Sequence, residues 1–518
     1  MNNNLEKYFE KFRKNTIGHN QKFDIPYGKQ TIHYFDWTAS GRLYEPIEKV
    51  MQKRFGPFVA NTHSESSETG MTMTNAYHLA HEIIKKHINA GDDDVLLMTG
   101  TGATGAISKL QRILGLKISD QYRRCLSFRA KSRNLIPPTL KTKTVPGDPS
   151  ISVGMTDLKP IVFITQLEHH SNHISWQETD ADVVIIPQTE NHPVDIEALE
   201  KLLQQYKERK IKIGSFTACS NVTGIQTPYH KLAKMMHQHG GYCFVDFAAS
   251  APYIDINMHP EDPEESLDAI FFSPHKFLGG PGSPGLLAFN KKLYPEGMPP
   301  ETPGGGTVMW TNPWGGRRYK DDIESREDAG TPGFLQTIKA ALSIKLKDEM
   351  GTENILKREE YLRKILMDGL RQIPDLVILA DNGQQRTGIV SFYSDSLHYN
   401  LIVKLLNDRY GIQTRGGCSC AGTYGHCSLN LDEKHSKKMT DQIDHGDQSN
   451  KVGWARISLH PTISDKEVHF LVQALKEIMK NGEKWKEDYI YDKHTNEFRH
   501  KKTSEATEKE KIKELFNL

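Results

Sequence analysis

The fold of this chain is decided by the stretch from Asp268 to Gly282, which reads DAIFFSPHKFLGGPG. An apolar run of strand length ends at a Ser-Pro turn, and His275 and Lys276 follow before a glycine-rich segment. The pattern predicts a buried strand that carries Lys276 into a site where backbone segments approach closely. Burial lowers the pKa of a lysine from about 10.4 toward neutrality, so that its amine can act as a nucleophile or move a proton. A solvent-exposed loop lysine is the ordinary alternative, and other parts of the chain must decide between the two interpretations.

A second strand with one acid at its end lies about thirty residues upstream. Residues 241–250 read GYCFVDFAAS, and the apolar run ends at Asp246. Because ligands collect beyond the carboxyl ends of the strands in an open α/β sheet, we expect Asp246 and Lys276 to face one crevice. A lysine that forms a Schiff base and an aspartate that pairs with a protonated pyridine nitrogen are the minimal protein groups for pyridoxal phosphate (PLP).

The overall composition is that of a large protein without strong charge bias. The chain has 518 residues, enough for two or more domains with a large core, and its formal net charge is +1. We therefore expect neither nucleic acid nor an anionic membrane as a main partner. No apolar run has the length of a membrane-spanning helix, and the polar start of the sequence does not resemble a secretory signal. With six cysteines in so long a chain, these features predict a cytoplasmic protein with free thiols.

A glycine-rich turn follows another predicted strand, Val95 to Met98, and opens a helix. The turn, residues 99–107, reads TGTGATGAI. This arrangement is typical of sites where backbone N–H groups and the helix dipole bind a phosphate. The turn lacks the lysine of a P-loop and does not match the dinucleotide-binding fingerprint, and such turns also serve for plain packing.

Strands and helices alternate over about two hundred residues of the sequence, which predicts a mostly parallel sheet covered on both faces. Asp195 is the predicted N-cap of one of these helices. From Phe334 the pattern changes to longer helices and short strands, as in an α+β second domain. Ser464 and Glu467 have the spacing of a capping box at the start of its last long helix.

Half of the six cysteines lie between residues 418 and 427, and residues 413–422 read QTRGGCSCAG. Three interpretations compete. The thiols could be buried and inert, or a thiolate favoured by Arg415 could act as a mobile nucleophile. The third is a zinc site, although Cys-x-Cys is unusual for structural zinc and we expect no metal. The zinc ligands in that case would be Cys418, Cys420, His426 and Cys427.

These segments, in this order, resemble the class V aminotransferase family and, within it, the cysteine desulfurase and selenocysteine lyase branch. The resemblance rests on the Asp246 strand, Ser273-x-His275-Lys276, and the Ser-Asn-x-x-Gly segment at 220–224. It also rests on Arg-x-Gly-x-x-Cys-Ala at 415–421 and Arg-x-Ser at 456–458, and it spans about residues 30 to 480. It implies the PLP-dependent transferase fold of type I, an α/β fold with a mostly parallel seven-stranded sheet in a large domain and a smaller α+β C-terminal domain.

The resemblance assigns cofactor roles to matching residues. Lys276 would hold PLP, Asp246 would pair with the pyridine nitrogen, and His169 would stack on the ring and help proton traffic. The backbone of Ala103 and the hydroxyl of Thr104 would bind the phosphate. The other implied cofactor-binding residues are Asn221 at the phenolic oxygen, Ser273, His275 and Thr307. Thr307 lies in a loop that, in the family, reaches across a dimer interface to the partner's phosphate, so the resemblance implies a homodimer.

The resemblance also implies a reaction. Arg456 would clamp the α-carboxylate of an amino acid substrate, and the freed amine of Lys276 would remove the α-proton. Cys420 would take sulfur from cysteine as a persulfide, release alanine, and pass the sulfur to an acceptor protein, while Cys418 is an extra thiol that could resolve the persulfide. Arg415, Ala39 and His63 are the remaining residues that the resemblance brings to the substrate.

One residue departs from the pattern, since the desulfurases usually have Gln three residues after the aspartate and this chain has Ala249. A related enzyme that transaminates, epimerises or eliminates from another amino acid without using Cys420 is therefore an alternative. A non-catalytic PLP-binding paralogue is another. We expect four regions: a helix and linker at 1–30, a large PLP-binding domain at 31–332 with an insertion at about 120–159, a small domain at 333–482 with an insertion at about 428–451, and a charged tail at 483–518.

Overall fold

The computed structural model describes residues 2–62, 66–117 and 159–517. The chain begins with an amphipathic helix, α1 (Asn2–Lys14), and a hairpin of β1 (Lys22–Ile25) and β2 (Gly28–Thr31). The segment that we expected to be a linker thus contains a hairpin. Both of its strands lie near the surface, so their sequences carry little apolar signal.

One short strand and two helices precede the central sheet in the chain. They are the short strand β3 (His33–Tyr34) and the helices α2 (Glu45–Val50) and α3 (Glu68–His87). The expected insertion at about 120–159 lies almost wholly outside the described residues.

The central feature is a sheet of seven strands. In chain order they are β4 (Asp94–Thr99), β5 (Ile161–Thr165), β6 (Asp182–Ile186), β7 (Lys212–Thr217), β8 (Tyr242–Asp246), β9 (Ala269–Phe272) and β10 (Gly285–Asn290). Their order across the sheet is β4-β10-β9-β8-β7-β5-β6, and only β10 runs antiparallel to its two neighbours. This confirms the prediction of a mostly parallel seven-stranded sheet.

The sheet is buried on both faces, which explains the unbroken apolar runs in its strands. On β8, Phe244 packs into one core cluster, whereas its neighbours Cys243 and Val245 pack into the other. The helices that follow these strands are α4 (Gly102–Ile113), α5 (His170–Gln177), α6 (Ile196–Gln205) and α7 (Tyr229–Gln238). Asp195 caps α6 as predicted, because its carboxylate accepts a hydrogen bond from the backbone N–H of Ala198 at 2.9 Å.

A hairpin and three helices connect this sheet to the second one. They are β11 (Val308–Thr311), β12 (Arg317–Tyr319), α8 (Ile323–Glu327), α9 (Phe334–Met350) and α10 (Thr352–Leu370). The hairpin is exposed, and Trp314 between its strands has 89% of its surface accessible.

The second sheet has four antiparallel strands in the order β13-β14-β17-β16. Its region contains β13 (Leu376–Ile378), β14 (Ile389–Ser394), α11 (Tyr399–Tyr410), β15 (Ile412–Gln413), β16 (Arg415–Gly417), α12 (Gly422–Ser428), α13 (Glu433–Asp444), β17 (Trp454–Ser458) and α14 (Asp465–Trp485). The segment predicted as an insertion at about 428–451 contains α13. The short strand β15 pairs with β3, which ties the start of the chain to this region.

The C-terminal segment, for which we expected a charged tail, contains both strands and a helix. It forms a hairpin of β18 (Tyr489–Asp492) and β19 (Glu497–His500) and ends with α15 (Glu505–Glu514). The sequence conceals this hairpin because only alternate residues, such as Phe498 and His500, are buried and the others face solvent. Among the described residues, no helix combines the length and the apolar character needed to cross a membrane.

The predicted capping box is present at the start of α14, and it gives a test of local stability. The Ser464 hydroxyl accepts a hydrogen bond from the Glu467 backbone, and the Glu467 carboxylate accepts one from the Ser464 backbone. Ser464→Ala removes the first bond, so we expect a loss of about 1 kcal/mol in stability and a lower midpoint of urea unfolding. Ser504→Ala is the matched control, because Ser504 precedes α15 without a side-chain cap. Equal midpoints for Ser464→Ala and the parent would contradict the prediction.

Candidate active site

A cavity of about 250 Å³ lies between the two sheets, at the carboxyl ends of β7, β8 and β9. Twelve of the predicted site residues line it together: Ala39, Ala103, Thr104, His169, Asn221, Asp246, Ser273, His275, Lys276, Arg415, Cys420 and Arg456. The individual roles expected of them stay predictions. The volume lies just below the range of about 300–1,000 Å³ that is typical of drug-sized ligands, so the cavity suits one ring with small substituents.

Two of the predicted residues are not brought to this cavity. Thr307 is buried elsewhere in the same chain, and its hydroxyl donates to the Gly304 carbonyl at 2.7 Å. A role across a dimer interface needs a second chain, so the prediction for Thr307 remains open. His63 lies outside the described residues.

One end of the cavity is built by the start of α4. The Ala103 N–H donates to the Ser273 hydroxyl at 2.9 Å, and the Thr104 and Ser171 hydroxyls are 2.6 Å apart. Gly102 has a φ of +60°, and a Cβ there would lie 2.7 Å from the Ser273 Oγ. This glycine therefore keeps open a space next to backbone N–H groups and a helix N-terminus, which is the environment that a phosphate prefers.

Asp246 is the last residue of β8, Lys276 ends a short helical turn that follows β9, and the two groups shift each other's protonation. Burial lowers the pKa of Lys276 to about 8, and the negative charge of Asp246 partly opposes this shift. Burial raises the pKa of Asp246 to about 6, while a hydrogen bond from the Ala248 N–H at 2.8 Å works in the other direction. A lysine with a pKa near neutrality is suited to nucleophilic and proton-transfer chemistry.

Close backbone packing holds the Lys276 segment in position. The Gly41 N–H donates to the His275 carbonyl at 2.9 Å, and a Cβ at Gly41 would overlap the Phe277 carbonyl oxygen. The small residues after β3 thus allow two backbone segments to meet beside the cavity.

His169 presents a neutral ring to the cavity. It caps α5, where its Nδ1 accepts a hydrogen bond from the Ser171 N–H at 3.1 Å. Burial, followed by the charge of Lys276, lowers the pKa of His169 to about 3. An uncharged aromatic ring at this position is suited to stacking on another ring.

The opposite end of the cavity contains two arginines and an acid that our sequence reasoning missed. Arg415 and Arg456 are register partners on β16 and β17. Asp36 accepts a hydrogen bond from Arg415 at 3.0 Å and from Arg456 at 2.9 Å. A buried arginine requires an anionic partner. The sequence has an acid, Asp36, just before the small residues at 38–41, and this rule could have identified it as that partner.

Cys420 lies in a tight turn at the mouth of the cavity. Its side chain is exposed, and Ser419 and Cys420 have left-handed φ values of 53° and 56°. Hydrogen bonds fix the turn to both parts of the molecule. The Asn221 Nδ2 donates to the Ser419 carbonyl at 2.7 Å, the Trp454 indole to the Ser419 hydroxyl at 3.2 Å, and the His170 N–H to the Cys420 carbonyl at 2.8 Å.

The structure also places the side chains that a zinc site would use. Among the residues that the structure describes, no group of three or more His, Cys, Asp or Glu side chains is arranged to hold a metal ion. Cys418 and Cys427 are partly buried, and burial raises the pKa of the Cys427 thiol.

The position that departs from the family pattern is closed by apolar side chains. Ala249 lines the cavity and packs in a small buried cluster with Cys219 and Ile389. The Cys219 thiol points to the Gly224 carbonyl at 3.2 Å, and burial raises its pKa to about 12. Position 249 itself therefore contributes no side-chain amide to the cavity, where the family usually has Gln.

The donor set fits PLP at both ends. The start of α4 suits the phosphate, and Asp246 suits a protonated pyridine nitrogen at the other side of the ring. Asn221 lines the cavity, and its buried Oδ1 has no hydrogen-bond partner among the described residues. An unsatisfied buried acceptor is costly, so a polar group of a bound ligand would stabilise this side chain.

Comparisons with known proteins agree with this geometry. A family model for "Aminotransferase class-V" matches residues 154–471. A probable cysteine desulfurase of Halobacterium salinarum is 26% identical over 405 residues, which cover 76% of this chain and 83% of the relative. A cysteine desulfurase of Haloferax volcanii is 32% identical over 279 residues, which cover 52% of this chain and 61% of the relative.

Solved structures share the fold. The apo structure of a cysteine desulfurase from Thermococcus onnurineus NA1 has a TM-score of 0.68 at 21% identity, and the match covers 91% of this chain and 98% of that one. The S-sulfonic acid form of the cysteine desulfurase CsdA from Escherichia coli has a TM-score of 0.63 at 20% identity and covers 86% and 94%. Since the family model spans more than half of the sequence, this chain belongs to the aminotransferase class-V family of PLP-dependent enzymes with the type I fold.

Proposed function

We propose that this chain is a cysteine desulfurase, which converts L-cysteine to L-alanine and carries the sulfur as a persulfide on Cys420. One observation carries the proposal: Lys276, Cys420 and Arg456 come from distant segments and line a single cavity. Relatives named cysteine desulfurase support the same assignment.

The residues that would hold PLP in this proposal surround the cavity. Ala103, Thr104 and Ser273 would bind its phosphate, Asp246 its pyridine nitrogen and Lys276 its aldehyde carbon. His169 would cover the ring. When bound, PLP would supply an electron sink for the α-carbon of an amino acid.

The two arginines would bind the substrate carboxylate. Arg456 and Arg415 share one counter-ion, Asp36, so one positive charge is left for a ligand. A guanidinium binds a carboxylate through two parallel hydrogen bonds, which also fixes the orientation of the substrate. Ala39 lies on the same wall and is small enough to leave room for the bound amino acid.

Lys276 would act as the base. With a pKa of about 8, a substantial fraction of its amine is neutral near physiological pH, and a neutral amine can accept the substrate α-proton at Nζ. The nearby ring of His169 stays uncharged and does not compete for this proton, because burial keeps its pKa low.

Cys420 would accept the sulfur. Its thiolate attacks the sulfur of the substrate, an S–S bond forms and the C–S bond breaks, and the substrate Cβ takes up a proton. The products are Cys420 persulfide and alanine, so atoms and electrons balance without an oxidant. Since the Cys420 side chain is exposed, a sulfur-acceptor protein or a small thiol can reach the persulfide.

We further propose that the active unit is a homodimer in which Thr307 contacts the partner's cofactor site. The exposed hairpin that follows Thr307 supports this arrangement. Trp310 and Trp314 on it have 50% and 89% of their surfaces accessible in the single chain. Large exposed aromatic side chains are enriched at protein interfaces.

The decisive experiment measures alanine and sulfide release from L-cysteine in the presence of a reductant. We expect activity in the parent protein and a loss of at least about a hundredfold in Cys420→Ala, because the nucleophile is removed. Cys427→Ala and Cys418→Ala are the matched controls and should retain alanine formation. A parent protein that binds PLP and yields neither product would refute the desulfurase assignment. The alternative is then an aminotransferase, epimerase or lyase for another amino acid, which Ala249 favours, and an amino acid screen identifies it.

If Arg456 binds the substrate carboxylate through two hydrogen bonds, Arg456→Lys should change the kinetics in a defined way. The lysine keeps the charge but loses the two-pronged geometry, so we expect KM for L-cysteine to rise by about ten- to a hundredfold. Arg415→Lys should have a smaller effect, because the Arg415 side chain is half exposed and screened by water. Steady-state kinetics of both variants checks this order, and an unchanged KM in Arg456→Lys would show that the carboxylate binds elsewhere.

The lowered pKa of Lys276 predicts a pH dependence of its reactivity. In protein from which the cofactor has been removed, labelling of Lys276 by an amine reagent should be half-maximal near pH 8, against about 10.4 for an ordinary lysine. The Asp246 carboxylate stabilises the ammonium form, so Asp246→Asn should move the midpoint to lower pH. Asp262→Asn, an acid that pairs with Lys234 instead, is the control. Mass spectrometry of the labelled peptide gives the profile, and a midpoint near 10 would contradict the prediction.

A further inference from the structure

The C-terminal hairpin lies beyond the part of the chain that the family model matches, which ends at residue 471. It nevertheless packs against the region that carries Cys420. Its turn ends at Asn496, which is 4% exposed and has a left-handed φ of 60°. Asparagine tolerates this conformation better than most residues do.

Every polar group on the Asn496 side chain is used. The Nδ2 donates to the Tyr399 hydroxyl at 2.7 Å, and the Oδ1 accepts from the Tyr491 hydroxyl at 2.7 Å. The Asn496 backbone carbonyl accepts a hydrogen bond from the Asn400 Nδ2 at 2.5 Å. A single buried residue of the hairpin therefore fixes both residues at the start of α11.

Tyr399 and Asn400 in turn touch the two strands that carry the active-site arginines. A Cβ at Gly416 on β16 would overlap the Asn400 Oδ1. A Cβ at Gly453, just before β17, would lie 2.6 to 2.9 Å from the Tyr399 ring. These two glycines allow α11 to pack directly on the strand backbones, so a shift of α11 would move the strands.

Tyr399 also bonds to the segment before β17 and lies near Cys418, two residues before Cys420. The Tyr399 hydroxyl donates to the Lys451 carbonyl at 3.0 Å. Burial raises the pKa of Tyr399 to about 12, and Cys418 is near enough to add to this shift. Strand β16 ends at Gly417 and continues at once into Cys418, so its position sets where Cys420 points.

We propose that Asn496 is a positioning residue for the Cys420 thiol. It acts through Tyr399 and Asn400, whose packing against the strand backbones determines the position of β16 and of the turn that follows. The inference rests on the proposed function, because it concerns the aim of the sulfur-accepting thiol. On this proposal, the hairpin of β18 and β19 helps to hold the turn at Ser419 and Cys420 in its position beside the cavity.

The test compares two variants with one control. Asn496→Gly keeps the left-handed backbone and the carbonyl that Asn400 binds, and it removes the two side-chain hydrogen bonds. Tyr399→Phe removes only the hydroxyl and serves if the first variant fails to fold. Ile490→Ala is the matched control, since Ile490 lies on the same hairpin and is 48% exposed.

Two measurements are made on the enzyme loaded with PLP. The first is the rate of alanine formation from L-cysteine in a single turnover without reductant. The second is the pH profile of alkylation of Cys420 by iodoacetamide, with Cys427 as the internal reference. We expect the first rate to fall about tenfold in both variants, because small misplacements of a reacting group are costly, and the Cys420 profile to shift. The visible absorbance of the bound cofactor should stay as in the parent, and Ile490→Ala should match the parent in all three readouts.

Two outcomes overturn the proposal. In the first, both variants have the same turnover rate and alkylation profile as the parent protein, even if their melting temperature is lower. The hairpin then only stabilises the fold. The other is an equal loss in Ile490→Ala, because the effect is then not specific to Asn496. If the parent itself forms no alanine, the proposed function fails, and the alkylation profile alone still decides whether Asn496 positions the thiol.

Discussion

The buried ion pair between Asp36 and Arg456 is the interaction on which the cavity depends. The two side chains lie 2.9 Å apart at the junction of the N-terminal segment and the second sheet. Removing one partner of a buried ion pair costs about 3–5 kcal/mol, because the other charge is left uncompensated. The pair therefore determines where β17 lies relative to the segment that leads to Ala39. A backbone hydrogen bond from the Ser458 N–H to the Phe35 carbonyl continues the same junction.

The cavity combines a rigid side with a more accessible one. Asp246 ends β8 and Lys276 lies in the short helical turn after β9, so both groups are held by strands that are buried on both faces of the large sheet. Cys420 lies on a turn of the second sheet that hydrogen bonds hold in place, and its own side chain is exposed to solvent. This division would suit the proposed reaction, in which bond breaking needs a fixed geometry and the sulfur then passes to another molecule.

The sequence allowed most of the large sheet and the cavity lining to be predicted, for physical reasons. Strands buried on both faces are continuous apolar runs, and the residues at their ends, such as Asp246 and Lys276, stand out against them. Asp36 was missed because its role depends on two arginines that lie more than three hundred residues away in the chain. The hairpins of β1–β2 and β18–β19 were missed because their strands face solvent on one side or both, so the apolar pattern was weak. The site of Asn496 could not be foreseen, since its bonds to Tyr399 and Tyr491 exist only after the hairpin has formed.

Ser419 and Cys420 are consecutive residues with left-handed backbone conformations, so the turn that they form is strained. Non-glycine residues in this region cost about 1–3 kcal/mol each in backbone strain. The strain is retained because Asn221, Trp454 and His170 hold the turn through hydrogen bonds. Any displacement of the turn from the cavity would relax this backbone strain, which would offset part of the energy of the broken bonds. Displacement of the Cys420 turn is therefore less costly than the number of those bonds alone suggests.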